Sequence, residues 1–253
     1  MSIIKIISIQ ILHILQVGRR KEENIMKRFF VTGDCHGQYH RIYNFIQKFG
    51  LGEDDTIIVC GDMGLYWNDN KKDAEEKIKT YEAMCHGVHL WWIDGNHENF
   101  NIIKTFGNEP YECSPHIAYI PRGTDICVKI NDEIKHLLFI GGADSVDKFW
   151  RTENVSWWAD ETISDEDVEK VKPGYYDYVF THCCPYEEVQ QGKCWLFTLS
   201  NISESNAIHN SEKQLQKIFD KIEFGHHYYG HYHVNKQTSE KHTCLYEDFI
   251  ELE

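Results

Sequence analysis

Five short polar segments, each closing an apolar run, recur in order along this chain: Gly33-Asp34-Cys35-His36-Gly37, Gly61-Asp62-Met63-Gly64, Gly95-Asn96-His97-Glu98, Thr181-His182 and Gly230-His231-Tyr232-His233. No other feature restricts the fold as much. Residues that act together but lie far apart in sequence must be carried to one place, and open α/β sheets do this by collecting side chains at the carboxyl ends of their strands. An α/β fold is therefore expected, with the five segments as the loops that follow five strands.

Taken singly, each segment is ordinary turn chemistry, and a lone histidine is more often a satisfied structural residue than a ligand. Five in order, each at the end of an apolar run, favour the functional reading. The candidate donors are Asp34, His36, Asp62, Asn96, His182, His231 and His233, a hard-to-borderline set of carboxylate, amide and imidazole groups. Two divalent ions held about 3.5–4 Å apart by such groups neutralise a phosphoryl anion and supply hydroxide near neutral pH. Metal-dependent phosphoester hydrolysis is the expected chemistry.

The spacing within the segments supports this. Asp34 and His36 are two residues apart, so at a strand end their side chains leave on one face while Cys35 points to the other, as a packed thiol. His231 and His233 share the same step and can each address a different ion. His97, adjacent to Asn96, must point elsewhere, which leaves its imidazole to handle protons. Glu98 is placed to orient a neighbouring ligand.

These motifs resemble those of the calcineurin-like metallophosphoesterase superfamily, D-x-H, G-D-x-x, G-N-H-[DE], H and G-H-x-H, over residues 30–233. The resemblance implies two packed mixed β-sheets flanked by helices, a four-layer sandwich, with the metals at the strand ends. It also implies that Asp34, His36, Asp62 and His233 hold a first ion and that Asp62, Asn96, His182 and His231 hold a second, with Asp62 as the bridge. Manganese is the expected metal, with iron or zinc as alternatives. His97 would protonate the leaving oxygen after attack by a metal-activated hydroxide.

The first motif, with Gln38 after it, is similar to that of Ser/Thr protein phosphatases, but the next two depart from G-D-x-V-D-R-G and R-G-N-H-E. Leu65 and Tyr66 stand where that family has an Asp-Arg pair, and Asp94 stands where it has Arg. Two phosphate-clamping guanidinium groups are therefore missing, and Tyr or Asp cannot reproduce their forked contacts. Arg122 and Arg151 are the candidate substitutes. They lie in Pro121-Arg122-Gly123 and in the run from Gly141 to Arg151, segments similar to those of uncharacterised bacterial and phage metallophosphoesterases. The alternative for each is structural: Arg122 in a turn, and Arg151 paired with an acid on a lid. His226 and His227 read as strand residues rather than further ligands.

Composition bounds the rest. With 253 residues, 42% of them hydrophobic, the chain can bury one sizeable core, and a single domain over residues 26–253 is expected. The net charge of −14 argues against binding bare nucleic-acid backbone, though not against a phosphoester substrate at a locally positive metal site. Nine cysteines without a Cys-x-x-Cys pair point to a reducing compartment, the cytoplasm. The sequence sets no oligomeric state and shows no membrane span.

Residues 1–25 differ from the remainder. Residues 3–17 are apolar but interrupted by Lys5, Gln10 and His13, too short to span a bilayer, and no small-residue cleavage site follows. They read as an amphipathic surface helix or as an extension upstream of a start at Met26. The second reading is preferred, because Lys21-Glu22-Glu23 implies purine-rich codons resembling a ribosome-binding site.

Apolar runs at residues 29–32, 56–60, 90–93, 136–140 and 178–180 read as buried strands. Helical spacing links Ile42, Phe45, Ile46 and Phe49. It also links Ala74, Ile78, Tyr81 and Cys85, and Leu215, Ile218, Phe219 and Ile222. Ser164 with Asp167 marks a capped helix start. Strand and helix alternate in the first half, while runs at 117–120, 126–130 and 136–140 suggest antiparallel pairing in the second. The acidic, Trp-rich stretch 145–172 is expected to form a lid or flank.

Two other functions share these motifs, a metal-binding scaffold on the same fold and a nuclease. The complete ligand set and His97 favour the enzyme over the scaffold. A nuclease would need basic grooves that an acidic chain does not advertise.

Overall fold

Strand β1 (Phe29–Thr32) has all four residues buried, which requires cover on both of its faces. Side chains alternate along a strand, and the alternation divides the cover. Phe30 packs with Ile42 and Ile46 of helix α1 (Tyr39–Phe49), while Phe29 and Val31 pack against Ile58, Leu137 and Phe139, the last two from a second sheet. One strand thus touches a helix layer on one side and a sheet on the other. The structure, a computed structural model, describes residues 27–191 and 209–253, so the expectations for residues 1–25 and a start at Met26 lie outside the described residues.

After α1 the chain runs through β2 (Thr56–Val59), α2 (Lys71–Cys85), β3 (His89–Trp92), α3 (Phe100–Ile103), β4 (Tyr111–Ser114) and β5 (Ile117–Tyr119). It continues with β6 (Thr124–Ile130), β7 (Glu133–Ile140), α4 (Asp165–Lys170), β8 (Tyr175–Thr181), α5 (Tyr186–Gln190) and α6 (Asn210–Phe219), and ends with β9 (Glu223–Tyr229), β10 (Lys236–Gln237), β11 (His242–Cys244) and β12 (Phe249–Glu251).

The strands form two six-stranded sheets, ordered β12-β1-β2-β3-β5-β4 and β10-β11-β9-β8-β7-β6. Each has four parallel central strands and an antiparallel strand at either edge. The sheets pack face to face through Ile58, Ile93, Leu137, Phe139 and Phe180. Helices α1 and α2 cover the outer face of the first sheet, and Leu215 and Ile218 of α6 cover the second. This is the expected α/β sandwich of two mixed sheets flanked by helices.

The antiparallel expectation for the second half holds where a short turn is present. Asn131 and Asp132 both have positive φ, the signature of a two-residue hairpin turn, and they join β6 to β7. The expectation holds also for β5 against β4 and for β10 against β11, but β5 runs parallel to β3, and β7, β8, β9 and β11 run parallel to one another through crossovers. Ile222 lies beyond the end of α6, so the fourth position of that helical pattern is not helical. The Ser164–Asp167 capping box is present at the start of α4. No helix among the described residues is long and apolar enough to cross a membrane.

Candidate metal centre

The five segments follow β1, β2, β3, β8 and β9, all of them central parallel strands. Their loops meet along one edge of the sandwich, three from one sheet and two from the other. Asp34, His36 and His233 bring one donor atom each to within 4.8 Å of one another, and Asp34, Asp62 and His182 do the same. His233 Nε2 lies 2.9 Å from Asp34 Oδ2, and His36 Nε2 lies 3.0 Å from His233 Nε2. Deeper in, Asn96 Oδ1 sits 3.1 Å from His182 Nε2 and 3.0 Å from His231 Nδ1. Asp62 Oδ2 spans the two groups, 3.7 Å from His36 Nε2 and 3.4 Å from His182 Nε2. Its other oxygen accepts the His97 backbone N–H at 2.8 Å.

All seven candidate ligands are thus brought together, but not as alternate positions on strands. They sit in the loops beyond the strand ends. His36, Asp62, His231 and His233 all have φ between 47° and 66°, the left-handed region. Such backbone costs about 1–3 kcal/mol per non-glycine residue, and it persists where the surroundings over-determine it. The flanking glycines are steric necessities: a Cβ on Gly95 would overlap Asp62 Oδ1 and lie 2.7 Å from His182 Nε2, and one on Gly61 would overlap the His182 ring.

The two groups differ in exposure. His36 and His233 retain 25% and 43% of their side-chain accessibility, whereas Asp62 and His182 are buried, so one group opens to solvent and the other lies beneath it. Burial opposes charge on Asp34 and Asp62, yet His182 and neighbouring imidazoles outweigh it and hold both carboxyls below the usual range. Burial likewise opposes charge on His182, and the Asp62 and Asp34 carboxylates overcome it, raising the imidazole to about 10. His231, where burial dominates, falls to about 3.

Among the described residues, the ion-pair partners of these two buried carboxylates are all histidines. His231 Nε2 is buried without a hydrogen-bond partner, and Asp34 Oδ2, though 2.9 Å from His233 Nε2, is not in hydrogen-bond geometry with it. Crowded carboxylates and imidazoles with orphaned donor atoms fit divalent cations, which supply the positive charge and the missing partners. His182 donates its Nδ1–H to the Cys60 carbonyl at 2.7 Å, so that Nε2, which faces Asp62 and Asn96, is the nitrogen that would lose its proton to hold a cation.

His97 lies at the rim, its ring 5.2 Å from that of His36 and stacked on Trp67 at 4.8 Å. Burial, with Arg151 adding to it, lowers its pKa. Arg151 reaches it, with Nη2 3.2 Å from His97 Nε2, while its Nε pairs with Asp147 at 2.8 Å. Arg122 is placed differently. Its Nε and Nη2 both donate to Asp94 Oδ2, at 2.8 and 2.7 Å, and Nη1 reaches Asp167 at 3.1 Å. Backbone carbonyls of Asp160, Glu161 and Thr162 take its remaining donor capacity. The structure brings Arg151 to the cluster and commits Arg122 to Asp94 and the 160–167 segment.

Cys35 is packed as expected, its Sγ 2.9 Å from the Tyr81 hydroxyl, and His226 and His227 lie on β9. Glu98 is buried and accepts the backbone N–H groups of Met63 and Gly95, at 2.9 and 2.6 Å, tying the second and third loops together. Ser145, Glu161 and Tyr246 have no counterpart in the sequence reading. Asn96 Nδ2 donates to Ser145 Oγ at 3.1 Å, Ser145 leans on Glu161, and Tyr246 stacks on His233 at 4.5 Å. Nothing in their local sequence marks them, because each acts across a long chain separation.

A family model described as calcineurin-like phosphoesterase matches residues 27–235, which include all seven candidate ligands and His97. No curated protein matches the chain.

Proposed function

The chain belongs to the calcineurin-like phosphoesterase family, and from that premise we propose that it hydrolyses phosphomonoesters or phosphodiesters at a centre of two divalent cations. Asp34, His36, Asp62 and His233 would hold one cation and Asp62, Asn96, His182 and His231 the other. Metal-dependent phosphoester hydrolysis is the general activity of the family, while the count of two, the ligand assignment and manganese as the metal are our own reading. The observation that carries it is Asp62 Oδ2, within 3.7 Å of a nitrogen from each donor group, while among the described residues the ion-pair partners of Asp34 and Asp62 are all histidines.

Bound there, two divalent cations would neutralise phosphoryl oxygens and lower the pKa of a water near the phosphorus. The protein supplies the rest. Asp62 anchors the His97 backbone through Oδ1, and Trp67 supports the His97 ring, so the imidazole stands at the open side of the cluster to handle the proton of the leaving oxygen. Arg151, 3.2 Å from that ring, is placed to bind a phosphoryl oxygen. Arg122 we assign to holding the 160–167 segment rather than substrate.

The test is hydrolysis of bis-(p-nitrophenyl) phosphate and p-nitrophenyl phosphate by chelator-stripped protein, with and without added Mn²⁺. The reading expects no turnover without metal and restored turnover of at least one ester with it. Intact metal binding without turnover of any ester would favour the scaffold.

A further inference from the structure

Asn96 has an amide whose two ends differ chemically: Oδ1 can coordinate a cation and Nδ2 cannot. Which end faces His182 and His231 therefore decides whether the deeper group can hold an ion. On its other side the amide meets a buried relay. Nδ2 lies 3.1 Å from Ser145 Oγ, and Ser145 Oγ lies 2.9 Å from Glu161 Oε2. Glu161 Oε1 accepts the Ser145 backbone N–H at 2.5 Å and the Trp157 Nε1–H at 2.8 Å. Ser145 and Glu161 are 0% and 1% exposed.

The direction of the relay follows from proton counting. An ionised carboxylate only accepts, and a serine hydroxyl has one proton to give. With that proton committed to Glu161, Ser145 Oγ can meet Asn96 only as an acceptor. Nδ2 must then face Ser145, and Oδ1 must face the histidines. We propose that Ser145 and Glu161 are positioning residues that fix the Asn96 amide with its oxygen turned toward the second cation site. The proposal rests on the two-cation reading given above.

The same counting singles out Glu161→Gln as the informative variant. Two N–H donors converge on Oε1, so the glutamine oxygen takes that place and its Nε2 faces Ser145 Oγ. The hydroxyl proton is then released toward Asn96, where it favours the flipped amide. Shape is nearly unchanged, so a merely structural residue would tolerate the substitution. Ser145→Ala removes the acceptor outright and serves as an independent variant.

Mn²⁺ is titrated calorimetrically into chelator-stripped wild type, Glu161→Gln and Ser145→Ala, each also in an Asn96→Asp background. The measurements are made at pH 8, where the Glu161 carboxyl, raised to about 7 by burial, is ionised. Wild type is expected to bind two ions. Each variant should weaken one of them about 10–100-fold, the usual cost of losing a group that orients a ligand, and leave the other unchanged. In the Asn96→Asp background, where either oxygen can coordinate, the loss should largely disappear. Undiminished binding of both ions by Glu161→Gln, or an equal loss in the Asn96→Asp background, would overturn the positioning role. Fewer than two ions in wild type would instead overturn the two-cation reading, and this proposal with it.

Discussion

Arg151 Nη2 lies 3.2 Å from His97 Nε2. A guanidinium can only donate, so His97 receives this bond as a neutral imidazole with its proton on Nδ1. In this arrangement Nε2 has no proton to give. The contact therefore reads as a resting state that a phosphoryl group would break by drawing Arg151 to itself, since an anionic oxygen accepts more strongly than a neutral ring nitrogen.

Arg151→Lys is expected to lower kcat/KM about tenfold to a hundredfold, because charge-assisted hydrogen bonds are worth about 1.5–3 kcal/mol and the fork is lost while the charge stays. Metal content should not change. Steady-state kinetics with elemental analysis checks both, and wild-type kinetics for Arg151→Ala would remove Arg151 from substrate binding.

His97→Ala should keep its metals and slow turnover by roughly 10²–10⁴-fold, the usual range for a positioned acid or base. The effect should shrink for esters whose leaving groups need no proton. Equal losses on activated and unactivated esters would show that His97 does not transfer the proton.

Arg122 should matter to stability instead. Asp94 is fully buried, and removing its partner strands a charge, so Arg122→Ala is expected to cost about 3–5 kcal/mol in urea unfolding. The Asp94→Asn/Arg122→Ala double variant should recover part of it. A small loss of stability with a large rise in KM would restore the clamp suggested by the sequence.

Much of the molecule was legible from local pattern. The apolar runs became strands because residues such as Ile57 and Ile58 are covered on both faces, and the Ser164–Asp167 cap was readable because its partners are three residues apart. The convergence of the seven candidate donors was legible because each segment closes a strand. The backbone that converges those ligands was not: left-handed φ at His36, Asp62, His231 and His233 runs against their own preferences and is imposed by the packed loops. Nor were the Arg122–Asp94 pair, 28 residues apart, or the Ser145–Asn96 contact, 49 apart, since no local periodicity encodes them. Parallel pairing of β7, β8 and β9 was missed for the same reason, because their crossovers join segments far apart in sequence, whereas only two residues separate β6 from β7.

Glu161 supplies a pH prediction. Burial raises its carboxyl to about 7 from an ordinary value near 4.5, so the folded chain binds a proton that the unfolded chain releases. Its contribution to stability is therefore greatest at low pH and falls as pH climbs from about 4.5 through 7, then levels off. Melting temperatures of metal-free wild type minus Glu161→Gln, taken from pH 5 to 8.5, should decline across that window. A flat difference would mean that Glu161 titrates normally in the fold.

Asp62→Asn should lower metal content and abolish hydrolysis, because the substitution removes a charge both cations would share. Full activity with unchanged metal stoichiometry would exclude Asp62 as the bridge.

The two-cation centre is tested most directly by anomalous diffraction at the manganese edge from crystals of the wild-type protein grown with Mn²⁺. Two peaks about 3.5–4 Å apart are expected, one beside Asp34, His36 and His233 and the other beside Asn96, His182 and His231, with Asp62 Oδ2 between them. A single peak, or peaks away from these seven side chains, would contradict the account.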